Sequence, residues 1–166
     1  MDTLDELADF MKRHHLLLVT AESCTAGLIA AHLADVPGAG ELLDCAFVTY
    51  STEAKARCLE VDFGTIARHG LSSEAVAAEM ARGALRHSRA NVAIANTGVA
   101  DNAGDGSTPP GTQCFAWAYR RADGGDQAEV FTETRRFHGD RNAVREAAAE
   151  YALLRIPHYC APRGGA

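Results

Sequence analysis

A chain of 166 residues is the size of one domain, and a composition of 47% hydrophobic and 23% charged residues is typical of a folded globular protein. The net charge of -6 argues against a general nucleic-acid binder, which needs a basic face to displace counterions from phosphates. Apolar runs such as residues 16–19 are too short to span a bilayer, and the acidic N-terminus lacks a signal peptide's basic start. We therefore expect a cytoplasmic protein with no membrane or nucleic-acid partner.

The hydrophobic pattern predicts strands and helices that alternate along most of the chain. A capping-box pattern, Thr3-Leu4-Asp5-Glu6, starts the first helix, Ser51 and Asp140 are candidate caps for later ones, and Ser72-Ser73-Glu74 opens another. The predicted elements in chain order are a helix from 4 to about 14, a strand over 16–21, a helix over 26–33, a strand over 44–50, a helix over 52–59, a helix from about 74 to 87, a strand over 91–96, a long loop over 97–112, a hairpin of 113–119 with 128–137, a helix to about 154, and an irregular tail from about 157.

This order of elements indicates the fold class. Strands that alternate with helices and are followed by a hairpin around 123–126 favour an α/β protein. We predict a three-layer α/β/α domain with a mixed, mostly parallel sheet. The sequence shows neither an internal repeat nor a linker, so residues 1–166 are predicted to form one domain with an irregular tail.

The cysteines and histidines do not have the spacing of a metal site. The five cysteines are odd in number and widely spaced, with no C-x-x-C motif. The seven histidines also lack metal-ligand spacing. We expect reduced thiols and no bound metal.

The choice of basic residues directs attention to one lysine. Of the 16 lysine and arginine residues, only Lys12 and Lys55 are lysines. Arginine keeps its proton in proteins, whereas lysine can lose it and act as a base. Lys12 lies on a predicted exposed helix, while Lys55 lies among hydroxyl-bearing residues, which makes Lys55 the candidate functional lysine.

Three predicted strands end in polar clusters, at residues 22–25, 50–55 and 96–98. Ligands of open α/β sheets bind beyond the carboxyl ends of the strands, so parallel neighbouring strands would bring the three clusters to one edge. The G-x-S-x-G elbow, the Walker loop and the G-x-G-x-x-G fingerprint are all absent.

The segment over residues 20–30 reads Thr-Ala-Glu-Ser-Cys-Thr-Ala-Gly-Leu-Ile-Ala, and it resembles the signature of the CinA C-terminal domain family. This family includes stand-alone deamidases of nicotinamide mononucleotide (NMN). Other segments continue the resemblance in order over nearly the whole chain: 35–39, 50–55, 69–72, 96–100, 110–112 and 137–141.

The resemblance implies hydrolysis of the NMN carboxamide to nicotinic acid mononucleotide and ammonia, as a step of pyridine nucleotide salvage. It implies no metal or cofactor, a small-molecule pyridine nucleotide as ligand, and a homo-oligomer, expected to be a dimer. The residues that it implies are the nucleophile Ser23, the lysine Lys55, the supporting tyrosine Tyr50, and the substrate-binding pair Thr97 and Gly98. Further candidate substrate-binding residues in the segment over 20–30 are Glu22, Thr25 and Gly27.

These residue types suit amide hydrolysis. A serine hydroxyl is a weak nucleophile until a base takes its proton, and a neutral Lys55 can take the proton of Ser23. Tyr50 would relay the proton or orient the lysine. The N–H groups of the helix after Ser23 would hold an oxyanion or a phosphate.

Several residues keep more than one interpretation. Glu22 is predicted to organise Lys55, to bind a ribose hydroxyl, or to act only as a helix-start acid. Ser23 or Thr25 would otherwise be a plain N-cap. Arg141 and Arg145 are candidate phosphate ligands or part of a solvated helix face.

Cys24 is the rival nucleophile, because a cysteine at a helix start can form a reactive thiolate. The family pattern gives the role to the preceding serine, so a buried thiol is the favoured interpretation of Cys24.

The chain departs from the family pattern at two places. Ala26 replaces the second residue of the usual Thr-Gly-Gly, which removes backbone freedom. Residues 99–102 read Val-Ala-Asp-Asn where the family usually reads Ile-Ala-Gly-Pro, and Asp101 and Asp105 would repel a phosphate. A second hypothesis follows from this altered loop: a nucleotide-binding or partner-binding module that has lost deamidase activity.

Overall fold

Five strands and seven α-helices occupy residues 3–102, 106–121 and 127–160, which the computed structural model describes. The helices are α1 (Leu4–Arg13), α2 (Leu28–Ala34), α3 (Thr52–Leu59), α4 (Phe63–His69), α5 (Glu74–Arg86), α6 (Arg141–Leu154) and α7 (Ile156–Cys160). The strands are β1 (Leu18–Glu22), β2 (Leu43–Val48), β3 (Val92–Gly98), β4 (Thr112–Tyr119) and β5 (Glu129–Arg136), and a short 3-10 helix spans Ala39–Glu41.

The strands form one mixed sheet in the order β2-β1-β3-β4-β5. β1 pairs in parallel with both β2 and β3, whereas β4 pairs antiparallel with β3 and β5. Four strands therefore run in the same direction, and the predicted mixed, mostly parallel sheet is confirmed. Glu22 at the end of β1 lies opposite Val48 of β2 and Asn96 of β3, so these three strands end side by side.

The two faces of the sheet carry side chains of different size. Ile94, Phe115 and Trp117 pack against α1, α2, α6 and α7 on one face. Small residues such as Ala93 and Ala116 pack against α3 and α5 on the other. Helices thus cover both faces, which confirms the three-layer architecture, and the alanine-lined face lets α5 lie close to the strands.

Gly83 allows α3 and α5 to approach closely. A Cβ atom at Gly83 of α5 would lie 1.9 Å from the carbonyl oxygen of Leu59 at the end of α3, which is far inside van der Waals contact. A glycine is therefore required here, and it fixes the position of α3, the helix that carries Lys55.

The predicted helix caps are confirmed. In each of four helices, a cap side chain accepts a hydrogen bond from an N–H group three residues later. The pairs are Thr3 with Glu6, Ser51 with Ala54, Ser73 with Val76 and Asp140 with Ala143.

Helix α4 and the 3-10 helix were not predicted from the sequence. Gly64 and Thr65 are weak helix formers, so the pattern over α4 carries little helical signal. Tertiary contacts stabilise α4 where its helix propensity is low, because Glu79 of α5 accepts hydrogen bonds from the Asp62 N–H and the Thr65 hydroxyl. Asp62 also caps α4 through the Gly64 N–H.

Several predicted boundaries are wrong. β1 spans Leu18–Glu22 where a strand over 16–21 was predicted, and β2 ends at Val48 where residue 50 was predicted. α2 begins at Leu28, two residues after the predicted start, and β3 continues through Gly98 because Thr97 and Gly98 pair with β4. The tail is helical over 156–160, where Pro157 lies in the first turn and its missing N–H would be unpaired in any case. The predicted turn at 123–126 and Asp105 lie outside the described residues.

No helix in the described part of the chain has the length and apolar character needed to cross a membrane. None of the five cysteines, all of which lie among the described residues, forms a disulfide bond.

Candidate active site

A cavity of about 510 Å³ opens where β1, β2 and β3 end. Each of the three polar clusters predicted from the sequence contributes to it, so the expectation that they share one edge is confirmed. The described lining residues are Ser23, Cys24, Tyr50, Lys55, His69, Gly70, Leu71, Ser72, Thr97, Gly98, Val99, Ala100, Asp101, Ser107, Thr108 and Arg141.

Ser23 and Lys55 meet at the inner end of this cavity. Ser23 follows β1 directly, and Lys55 lies in the first turns of α3, which the Ser51 cap starts immediately after β2. Lys55 Nζ lies 3.0 Å from Ser23 Oγ, within hydrogen-bond distance. The sequence-based pairing of these two residues therefore has the geometry that proton transfer needs.

Two backbone carbonyls hold the Lys55 amine. Nζ donates hydrogen bonds to the carbonyl oxygens of Thr49, at 2.6 Å, and Tyr50, at 3.2 Å. Carbonyl oxygens can only accept, so in the neutral amine both N–H bonds point to them. The remaining lone pair is then left for the Ser23 hydroxyl.

Burial adjusts the protonation of Lys55. Its side chain is 1% exposed, and this desolvation lowers its pKa from 10.5 to about 8. A substantial neutral fraction therefore exists near neutral pH. None of the described residues forms a group of three or more metal-ligating side chains.

Glu22 does not line the cavity, because its carboxylate caps α2. It accepts hydrogen bonds from the N–H groups of Gly27, Ile29 and Ala30, at 2.9–3.1 Å. It also accepts from the hydroxyls of Thr20 and Thr25. Of the interpretations left open, the structure gives Glu22 the role of helix-start acid rather than contact with Lys55 or a ribose hydroxyl.

The start of α2 is consequently not an anion site. Its first N–H groups bind Glu22, and Thr25 N–H is bound to the Asn96 side chain at 3.1 Å. Neither Ser23 nor Thr25 is an N-cap; that position is held by Gly27, with φ of 99°. Thr25 and Gly27 lie in the turn that shapes the cavity wall and do not line the cavity.

Tyr50 lies at the mouth of the cavity with 58% of its surface exposed. Its carbonyl oxygen contacts Lys55, while its hydroxyl accepts a hydrogen bond from Arg141 at 3.1 Å. The described contacts therefore place the Tyr50 side chain beside Arg141 rather than in a proton relay to the lysine.

The two candidate phosphate ligands occupy different environments. Arg141, the first residue of α6, lines the cavity and donates to Asp101 at 3.0 Å. Arg145 instead donates to the carbonyl oxygens of Cys24 and Thr25, and thereby fastens the turn after Ser23 to α6. Only Arg141 is brought to the cavity.

Thr97 and Gly98 form the cavity wall at the end of β3. The Thr97 hydroxyl donates to the carbonyl oxygen of Leu71 at 2.9 Å, which ties β3 to the segment before α5. A Cβ atom at Gly98 would lie 2.4 Å from the Thr112 carbonyl oxygen, so no larger residue fits. The sequence correctly brought both to the site, while contact with substrate stays a prediction.

A buried polar network that the sequence did not reveal supports the turn after Ser23. Asn96 donates to Gln113 at 2.9 Å, and Gln113 donates to the Cys24 sulfur at 3.4 Å. Burial raises the pKa of the Cys24 thiol, so the favoured interpretation of Cys24 as a buried thiol agrees with its environment. The network depends on the pairing of Gly98 with Gln113 between β3 and β4, which the sequence alone does not show.

The sequence also missed part of the cavity wall. His69, Gly70, Leu71 and Ser72 line it from the connection between α4 and α5, and Ser107 and Thr108 line it from the long loop. Residues 69–72 belong to a segment that carried the family resemblance, and this was the available signal.

The fold and site together define a class of protein: a three-layer α/β domain with a buried serine–lysine pair in a cavity at the ends of its parallel strands. The family model of the CinA C-terminal domain matches residues 2–160. The chain belongs to the CinA C-terminal domain family.

Individual relatives agree with this assignment. The chain is 40% identical over 154 residues to nicotinamide-nucleotide amidohydrolase PncC of Escherichia coli K12, with 92% of this chain and 90% of that protein covered. It is 46% identical over 149 residues to a competence-damage inducible protein of Symbiobacterium thermophilum, with 87% of this chain covered. The chain spans only 34% of the length of that relative. The crystal structure of competence damage-inducible protein A from Klebsiella pneumoniae superposes with a TM-score of 0.88 at 35% identity, covering 98% of this chain and 99% of that one.

Proposed function

We propose that this protein hydrolyses the carboxamide of nicotinamide mononucleotide to nicotinic acid mononucleotide and ammonia. The observation that carries the proposal is the 3.0 Å contact between Ser23 and the buried Lys55. The substrate is suggested by the name of the E. coli relative, which is 40% identical over nearly all of both chains.

In the first half of the proposed reaction, Ser23 attacks the carboxamide carbon. As Ser23 Oγ forms the new bond, its proton moves to neutral Lys55 Nζ. The C–N bond then breaks, and the Lys55 ammonium returns the proton to the leaving nitrogen, so that ammonia departs and an ester on Ser23 remains.

In the second half, water attacks the ester carbon. Lys55 takes the proton of the water, the bond between Ser23 Oγ and the acyl carbon breaks, and Oγ recovers a proton from Lys55. Each step uses the same two atoms, Oγ and Nζ, and the carbonyls of Thr49 and Tyr50 hold Nζ in place throughout. We propose that no metal is needed, so EDTA should leave turnover unchanged.

Ammonia release from NMN by the purified full chain tests the proposal. Wild type should release ammonia, whereas Ser23→Ala and Lys55→Arg should lose at least about a hundredfold in kcat, because arginine keeps the charge but cannot act as a base. Lys12→Arg, which changes the other lysine on the exposed face of α1, is the matched control and should keep wild-type activity. Normal turnover by Lys55→Arg would refute the serine–lysine scheme.

A second candidate function is nucleotide binding without turnover. The observation that favours a loss of turnover is the ion pair between Asp101 and Arg141, which alters the cavity at a position where the family pattern has glycine. Tight binding of NMN with no ammonia release by wild type would support this function, and measurable turnover would exclude it. A cysteine-dependent amidase is excluded if Cys24→Ser retains the rate.

A further inference from the structure

Arg141 is the accessible cation of the cavity. Among the described lining residues, the permanently charged cation is Arg141, whose side chain is 47% exposed, whereas Lys55 is buried and can lose its proton. Lys55 Nζ is enclosed by Ser23 and two carbonyls, so it has little room for a phosphate. If the proposed function is correct, the phosphate of the substrate therefore meets Arg141.

Arg141 is already engaged before any ligand enters. Nη1 donates to Asp101 Oδ2 at 3.0 Å, and Nη2 donates to the Tyr50 hydroxyl at 3.1 Å. The carboxylate neutralises the guanidinium charge. It would also lie within a few ångströms of any phosphate bound to the same guanidinium, and like charges at that distance repel.

We propose that Asp101 is a specificity-determining residue that weakens the binding of phosphorylated ligands at Arg141. The inference rests on the proposed function for the identity of the substrate. The electrostatic effect itself involves only Asp101, Arg141 and a phosphate. The site consequently discriminates weakly between a pyridine nucleotide and the corresponding unphosphorylated riboside.

Binding of inorganic phosphate tests the electrostatic effect of Asp101 without any turnover. We expect calorimetric titration of the full chain to show about tenfold tighter phosphate binding in Asp101→Asn than in wild type. The gain should fall below about twofold when Asp101→Asn is combined with Arg141→Gln, because the effect acts through that arginine. Asp44→Asn is the matched control: it removes one carboxylate from an Asp–Arg pair at the opposite end of β2, and it should leave phosphate binding unchanged.

Steady-state kinetics test the consequence for substrates. In wild type, we expect kcat/KM values for NMN and nicotinamide riboside within about tenfold of each other. Asp101→Asn should raise the ratio of NMN to riboside about tenfold and change the value for the riboside by less than about twofold. Thermal denaturation of each variant checks that the fold is retained.

The outcomes separate the two proposals. Phosphate binding that is unchanged or weaker in Asp101→Asn overturns the inference and means that the carboxylate only orients Arg141. An equal gain in the Arg141→Gln background also overturns it. If phosphate binding tightens as expected but neither compound releases ammonia, the proposed function fails while the role of Asp101 at the phosphate stands.

Discussion

At the scale of single residues, two consecutive polar side chains at the end of β1 have different environments, and the candidate site depends on this difference. Glu22 is fully buried and satisfied by five hydrogen bonds, whereas the next residue, Ser23, meets the cavity and Lys55. Glu22 is the last residue of β1, and Ser23 is the first residue beyond it, where the chain turns at the cavity. One position therefore builds the scaffold, and its neighbour is left available for chemistry.

The pH dependence of turnover should report the protonation of Lys55. Burial lowers its pKa to about 8, and the neutral form is the base, so the active fraction increases as pH rises. We expect kcat/KM for ammonia release to rise about tenfold between pH 7 and pH 9 and then to level off. A profile that is flat or falling over this range would contradict the role of Lys55 as the base.

The sequence predicted the contact between Ser23 and Lys55, but it left three interpretations of Glu22 open. Ser23 and Lys55 could be predicted because residue types suited to a nucleophile and a base follow two predicted strands, and the resemblance named both. A strand buried on both faces has no polar alternation to show which way Glu22 points. For Tyr50, the backbone carbonyl supplies the contact with Lys55 and the phenol lies beside Arg141, so a role of the phenol in the reaction stays a prediction.

At the scale of elements, the turn between β1 and α2 contains an unfavourable residue. Ala26 has φ of 49°, in the left-handed region that favours glycine, and this is the position where the family pattern has glycine. The structure thus gives a physical reason for that glycine, and the chain retains a small strain in its absence.

Ala26→Gly should stabilise the protein by about 1 kcal/mol and raise Tm by a few degrees, because glycine removes the steric cost of the left-handed conformation. Thermal denaturation measures the effect. The control Ala147→Gly, in the middle of α6, should destabilise by about 1 kcal/mol. Changes of the same sign in both variants would contradict this account of the turn.

Glu22→Gln should destabilise the protein by about 3 kcal/mol, because the amide nitrogen cannot accept hydrogen bonds from the start of α2. Denaturant unfolding measures the loss. The control Glu79→Gln alters the less buried cap of α4 and should cost about 1 kcal/mol. A loss no greater than that of the control would mean that Glu22 is dispensable for the turn.

Element prediction was accurate where the signal is local. Helices with hydroxyl or carboxylate caps, such as α3 and α6, begin at the predicted residue. α4 was missed because its stability comes from Glu79 on another helix, a contact between residues 14 or more positions apart. The end of β3 was missed because glycine is typical of loops, whereas Gly98 is needed for close packing against β4.

At the scale of the whole molecule, one carboxylate joins the outer strand to the last two helices. Glu133 of β5 accepts hydrogen bonds from Tyr151 of α6, from Tyr159 of α7 and from Arg155 between them. Burial acts to raise the pKa of Glu133, but these three donors together outweigh it and lower the pKa. The C-terminal helices are thereby fastened to the sheet.

Glu133→Gln should lower the free energy of unfolding by about 2 kcal/mol at pH 7, because the donors lose a charged acceptor. A lowered pKa means that this contribution is present above the unfolded pKa of about 4.3 and is lost as pH falls through the folded value. The difference from wild type should therefore shrink below about pH 4. Denaturant unfolding at pH 7 and pH 3.5 measures it, and Glu150→Gln on the exposed side of α6 should have little effect at either pH.

The two hydrogen bonds from Lys55 to backbone carbonyl oxygens have a consequence for mutational scanning. The groups that hold the amine belong to the main chain at positions 49 and 50, so every side-chain replacement there leaves them in place. A survey of tolerated substitutions at the two positions would therefore detect effects on side-chain packing and on the contact with Arg141. It would not detect the hydrogen bonds from Lys55 to the two carbonyl oxygens. Only a change to the main chain itself, such as an amide-to-ester replacement that weakens the Thr49 carbonyl as an acceptor, would expose that role.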